Sequence, residues 1–167
     1  DRSSAASDVY KRQIIGNPAT AEQLTTIGDR GVDVLVCDST NVFNAEASGS
    51  ESDVRIGLGE AVRKARGRVA VTTFASNAAR VQTLGQVAKE TGRALCVAGR
   101  SLDRIIKVAR SCGYLRDFPD TISPDEAMRL PRDKVLVIAT GGQGEDRAAL
   151  ARIAGGQPPV KLGGGGT

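Results

Sequence analysis

Four times along the chain an apolar run breaks off into a polar or glycine-rich cluster, and each cluster leads into apolar residues at helical spacing. The runs are VDVLVCD before STN, RVAVTT before FASN, ALCVA before GRS, and KVLVIAT before GGQGE. Short apolar runs bounded by turn residues read as buried strands. Strands alternating with helices over short loops imply a parallel sheet joined by right-handed crossovers. The expected fold is therefore α/β, a Rossmann-like, doubly wound parallel sheet of about four strands flanked by helices. All four strand-to-helix loops then emerge on one edge, where open α/β sheets bind ligands.

The helices are marked by their ends. Thr20 to Asp29 reads as a short helix that stops near Gly31. A second runs from about Glu51 to Arg66, with Ser50 as cap, Asp53 three residues later and Gly67 as stop. Its apolar face is Val54, Leu58, Ala61, Val62 and Ala65. A third covers about Asn77 to Glu90, with Val81, Leu84, Val87 and Ala88 inward and Gly92 at its end. A fourth covers Ser101 to Cys112 and ends at Gly113, after which the chain reads as loop. Ser123-Pro124-Asp125-Glu126 is the best-specified start: a serine cap, proline at the first helical position, glutamate at the third. The last helix runs through Asp146–Ala154 to Gly155-Gly156.

Composition narrows the function classes. With 3% aromatics and no Trp, the core must be Val, Ile, Leu and Ala, which suits strands covered on both faces. No apolar run approaches the roughly 18 residues of a membrane span, and no secretory signal is visible. The three cysteines lack metal-like spacing; Cys37 and Cys96 sit in apolar runs and read as reduced core thiols of a cytoplasmic protein. A net charge of +4 permits a polyanionic partner, although 19 acidic residues are mixed among 23 basic ones. The cluster Arg63, Lys64, Arg66 and Arg68 reads as solvated surface. There is no histidine, which excludes a His-based zinc site or a Ser-His-Asp triad within this chain.

The two ends read differently from the rest. In residues 1–13, SSAASDVYKRQ resembles the in-frame translation of a transposase adapter used to build sequencing libraries, so this stretch is expected to be a foreign tail. Residues 14–162 are expected to form a partial α/β domain together with the end of the part that precedes it, with 163–167 a glycine-rich truncated end. The whole is expected to be a fragment.

The loops carry the chemistry. Glycines, small hydroxyls and amides at helix starts present free backbone N–H groups that favour an anion such as phosphate. The same residues are ordinary caps, but four such loops gathered on one edge point to a ligand. GGQGE is not a Walker A loop, because no Gly-Lys-Ser/Thr follows, and no strand leads into GxGxxG with an acidic residue downstream. Arg80 and Arg100 can supply charge to a phosphate, Arg80 reading equally well as a solvated helix face. Asp38, a carboxylate directly after an apolar run, needs a partner or a functional reason.

VLVCDSTN, VTTFASNAARVQ, VAGRSLDR and VIATGGQGEDRAALARIA, in this order and spacing, resemble the β-CASP region of bacterial ribonuclease J over Ile14 to Leu162. The resemblance implies a two-metal hydrolase. In that family a metallo-β-lactamase domain holds zinc through histidines and aspartates, and the inserted β-CASP domain clamps RNA. Its members cut RNA internally and degrade it from a 5′-monophosphate end. Asp38 resembles the acidic β-CASP motif that pairs with a catalytic-site histidine, giving it a supporting catalytic role. Ser76 and Asn77, with the Ala78 amide, match the loop that contacts the nucleotide. Arg80, Arg100, Ser101, Gln143, Gly144 and Glu145 join them as substrate-binding candidates. Thr140 to Glu145, including Gln143, Gly144 and Glu145, matches a TGSQGE-type loop near the domain interface, with Gly142 where the family commonly has Ser.

The HxHxDH metal motif, the further ligands and the later β-CASP histidines are missing. The resemblance thus implies zinc in the complete enzyme and none bindable by this fragment, which is expected to be inactive alone. Its implied partners are RNA and the missing metallo-β-lactamase domain of the same parent chain, in a homo-oligomer when complete, with no membrane. Two other readings fit the residues themselves: a stand-alone Rossmann-like module binding a nucleotide or phosphate, and a structural domain without ligand.

Overall fold

The computed structural model describes residues 19–36, 43, 50–146 and 148–156. They fall into two compact units, residues 1–54 and 55–167. In the first, helix α1 (Ala21–Asp29) opens with a capping box. The Thr20 hydroxyl accepts from the Gln23 N–H at 3.1 Å, and the Thr20 N–H donates to the Gln23 side chain at 2.9 Å. Every residue of α1 remains unburied, Leu24 and Ile27 included.

The apolar run after it is a correction. Val32–Val36 forms no strand; Val36 is 90% exposed, and Val34 and Leu35 are nearly as open. A strand needs a neighbour to take its N–H and C=O groups, and no ladder among the described residues includes this segment. Apolar side chains alone do not make a ladder. The residues that complete the run, Cys37 and Asp38, and the following Ser39, Thr40 and Asn41 lie outside the described residues, as do the expected tail 1–13 and end 163–167.

Helix α2 (Glu51–Lys64) starts where the caps say it should. Ser50 N–H donates to the Asp53 carboxylate at 2.9 Å, and Asp53 N–H donates to the Ser50 hydroxyl at 3.1 Å. In the second unit four parallel strands, β1 (Val69–Thr72), β2 (Ala94–Ala98), β3 (Thr121–Ile122) and β4 (Val135–Ala139), lie in the order β1-β4-β2-β3. The fold class is thus α/β with a four-stranded parallel sheet, and among the described residues the fourth strand is β3, with Val32–Val36 in no ladder. Two residues are too short to show a period of two. Thr121 and Ile122 pair with Leu95 and Cys96, and Ser123 behind them is held extended as the residue before a proline.

Helices α3 (Ala78–Thr91), α4 (Arg100–Ser111), α5 (Pro124–Arg129) and α6 (Ala149–Ala154) cover the sheet, with a 3-10 turn at Arg132–Lys134. Strand side chains alternate between two cores. Leu95, Val97, Leu136 and Ile138 pack with Val62 of α2, Val81, Leu84 and Val87 of α3, and Leu102 and Ile106 of α4. Cys96, Ala98, Val135, Val137 and Ala139 pack with Ala127 of α5 and Ala149 and Ile153 of α6. The first face is built from branched residues and the second largely from small ones, so the central strands β2 and β4 are buried on both sides without Trp. No helix among the described residues is long and apolar enough to cross a membrane.

The α5 start is a full capping box: the Ser123 hydroxyl accepts from Glu126 N–H at 3.2 Å, and Ser123 N–H donates to the Glu126 carboxylate at 2.8 Å. That backbone donation, seconded by the Ser123 hydroxyl, holds the Glu126 carboxyl below its ordinary value. One residue of the supposed solvated basic cluster is not solvated. Arg68 is 3% exposed, and its guanidinium donates to the Ala127 carbonyl at 3.1 Å. It stands just before β1, so its neighbours along the chain say little about which side of the sheet it enters.

Candidate functional site

The strand order creates a crevice. β1 leads to α3 and β2 to α4, both on the branched-residue face, whereas β4, lying between them, leads to α6 on the other. Where adjacent strands send their chains to opposite faces, the loops part at the carboxyl ends, and open α/β sheets bind ligands there. A cavity of about 510 Å³ occupies this position between β2 and β4. Val97, Ala98 and Gly99 form one wall, with Arg100, Ser101 and Asp103 of α4. Thr140, Ala149 and Arg152 form the other, and Pro124 contributes from α5.

Gly99 shapes one wall of the cavity. It is the residue capping α4, with φ at 140°, and has no side chain to accept from the first amides of the helix. A Cβ there would crowd the Thr140 hydroxyl at 3.3 Å, in a backbone conformation L residues rarely adopt. The start of a 12-residue helix therefore faces the cavity with its N-terminal amides uncapped by any side chain. Thr140 is fixed opposite. Its hydroxyl accepts from Ala149 N–H at 3.3 Å, and its carbonyl accepts from Leu150 N–H at 2.9 Å, so β4 and α6 are tied at the rim. Two guanidinium groups against one carboxylate leave the lining net positive. That lining suits a small anion.

Of the residues singled out from sequence, Arg100 and Ser101 are the two that line the cavity, both exposed at its mouth. Ser76 is exposed on the turn after β1. Asn77 is the cap of α3: its side-chain oxygen accepts from Arg80 N–H at 3.0 Å, leaving its amide nitrogen for other contacts. The Ala78 N–H donates to the Ser76 carbonyl at 3.0 Å, and Arg80 sits half-buried on the first turn. The last loop folds on itself: Gln143 N–H donates to the Glu145 carboxylate at 3.1 Å, and Gly144 N–H to the Gly141 carbonyl at 3.3 Å. Gln143, Gly144 and Glu145 are exposed outside the cavity. Asp38 lies outside the described residues.

Sequence reading missed Asp103, Thr140, Pro124 and Arg152 as lining residues. Thr140 stood in the quoted TGGQGE motif and Pro124 in the best-marked helix start, but their meeting depends on β4 inserting between β1 and β2. Beneath the crevice Cys96 is buried, and its thiol is pushed up to about 11, by burial first and the Asp103 carboxylate second, with Arg68 opposing. It is an inert core thiol. Among the described residues no three His, Cys, Asp or Glu side chains come together in a way that could hold a metal ion.

Comparison with known proteins identifies the family. The family described as Ribonuclease J, beta-CASP domain, matches residues 66–162, more than half of the chain and all of the sheet. A ribonuclease J of Sinorhizobium meliloti is 44% identical over 138 residues, covering 82% of this chain and 24% of the relative. A ribonuclease J of Mycolicibacterium smegmatis is 42% identical over 143 residues, 85% of this chain and 26% of the relative. That of Corynebacterium glutamicum is 43% identical over 140 residues, 83% of this chain and 20% of the relative. The chain thus spans a fifth to about a quarter of the length of these curated relatives.

Proposed function

The chain belongs to the ribonuclease J β-CASP domain family, and from that premise we propose that it is the RNA-holding portion of a metal-dependent ribonuclease. The observation that carries this reading is the net-positive cavity at the uncapped start of α4, at the ligand edge of the sheet. In it the 5′-phosphate of an RNA strand is held by the first amides of α4, the Ser101 hydroxyl and the Arg100 guanidinium. Ser76 and the free amide nitrogen of Asn77, on the loop after the edge strand β1, hold the next part of the backbone. Residues 14–162 make up most of the clamp, together with the end of the preceding metallo-β-lactamase part. Asp38 supports the catalytic centre by orienting a histidine that this chain does not contain.

Zinc does not fit the residues described. The chain has no histidine, and the described residues gather no donor set. No metal step is therefore assigned to them; the ion belongs to a metallo-β-lactamase part of the same parent protein. In this reading that part cuts RNA internally and from the 5′ end, in a cytoplasmic homo-oligomer.

The test uses the complete enzyme and single-turnover decay of a 5′-monophosphorylated RNA. Arg100→Gln with Ser101→Ala is expected to weaken binding by about 1–3 kcal/mol, the worth of one or two charge-assisted hydrogen bonds, with a smaller effect on turnover. Ser76→Ala with Asn77→Ser, which keeps a capping oxygen on α3, is expected to act the same way. Asp38→Asn should lower turnover and leave affinity nearly intact, the mark of an interaction made chiefly in the transition state. Unchanged affinity in both binding pairs would reduce these loops to helix capping. Binding of a mononucleotide as tightly as of an oligonucleotide would favour a small-molecule module instead.

A further inference from the structure

Helix α4 leaves the cavity with three positive side chains in line. Arg100, Arg104 and Lys107 are exposed, and their spacing of four and three residues puts them on one strip of the helix surface about 10 Å long. None of the three makes a hydrogen bond or ion pair with another described residue. The opposite side of the helix is fully committed, with Leu102, Ile106 and Ala109 in the core. The one acidic residue of α4, Asp103, borders the strip, three residues after Arg100 and four before Lys107, and also lines the cavity. Arg110, further on, is also taken: its guanidinium donates to the carbonyls of Phe118 and Pro119 at 3.1 and 2.9 Å.

Resting on the RNA reading of the cavity, we propose that this strip is a track for a single RNA strand, gripping the phosphates that follow the one held in the cavity. Continuity argues for it, since Arg100 belongs to both the cavity mouth and the strip. So does the absence of internal partners. A row of cations that serves structure is normally answered by carboxylates or carbonyls, as Arg110 is and as these three are not. Contact through charge alone would be indifferent to base sequence and steeply dependent on salt.

The test is fluorescence anisotropy with this chain and 3′-labelled, 5′-monophosphorylated oligouridylates, a short one of about three nucleotides and a long one of about twelve. Arg104→Gln with Lys107→Gln is expected to weaken the long strand roughly tenfold and to lower its log–log salt slope by about 1.4, about 0.7 per lost phosphate contact. The short strand should bind as before. The exchange Arg104→Lys with Lys107→Arg should restore the slope. Arg129→Gln, on the helix of the other face, should leave it unchanged.

Unchanged long-strand binding in the double variant overturns the track and leaves the cavity reading standing. An equal loss for Arg129→Gln reduces the effect to net charge and also overturns it. If neither strand binds the unaltered chain, the cavity reading itself fails and the track falls with it. Polyglutamate binding as tightly as the long strand, with the same loss in the double variant, would make the strip a site for acidic peptides instead.

Discussion

Replacing Arg93 by methionine is expected to cost the fold about 3–5 kcal/mol, although Arg93 is nowhere near the candidate site. Its side chain is buried and answers no carboxylate among the described residues. It donates instead to four backbone carbonyls: Val62 at 3.1 Å and Ala65 at 2.6 Å at the end of α2, Gly67 at 2.8 Å in the turn, and Val135 at 3.3 Å at the start of β4. The carbonyl end of α2 carries partial negative charge, which is why a lone buried cation is tolerated there. Methionine fills similar volume but leaves these carbonyls without their donor. Urea unfolding should show the loss as a lower midpoint at unchanged slope. Arg93→Lys, with one ammonium in place of a fork, should recover part of it. A loss below about 1 kcal/mol for Arg93→Met would mean that water serves the carbonyls equally well.

Gly85→Ala is expected to be destabilising by about 1–3 kcal/mol, against the usual helix preference. Alanine in a helix interior normally gains about 1 kcal/mol over glycine. Here the new Cβ would stand 2.5 and 2.6 Å from two ring carbons of Phe118 and 3.0 Å from Pro119. The ring has little room to retreat: it is buried, Arg110 stacks over it at 5.6 Å, and the same guanidinium holds the Phe118 and Pro119 carbonyls. The check is a double-mutant cycle. In a Phe118→Leu background the same substitution should cost much less, and an equal cost in both would place the strain elsewhere.

Local signals carried much of this fold. Ser50 with Asp53 and Ser123 with Glu126 were readable as helix starts because a cap and its reciprocal partner lie three residues apart. Gly92 stops α3 in a left-handed conformation, as its position after an apolar face requires. β2 was readable to the residue because an apolar run flanked by glycine and arginine leaves no other choice. What failed was long-range. Whether VDVLV finds a ladder, and whether Thr121–Ile122 does, depends on neighbours distant in the chain. Arg68 and Arg93 look like any surface arginine until the carbonyls they serve are brought to them.

The site divides along the same line. Arg100 and Ser101 were legible because they follow a clear strand at a helix start. That they face Thr140 across a cavity could not be read, since it follows from the order β1-β4-β2-β3. Asn77 shows the reverse case. Its motif was plain, and half of its amide is spent on capping α3.

The most direct test of the account is an amide-resolved NMR titration of this chain with a short 5′-monophosphorylated oligouridylate and its 5′-hydroxyl counterpart. The prediction is that the phosphorylated strand binds more tightly and that its largest shifts fall on the amides of Gly99, Arg100, Ser101 and Leu102 and on Thr140 across the crevice. Equal binding of the two strands, or shifts that bypass the start of α4, would contradict it.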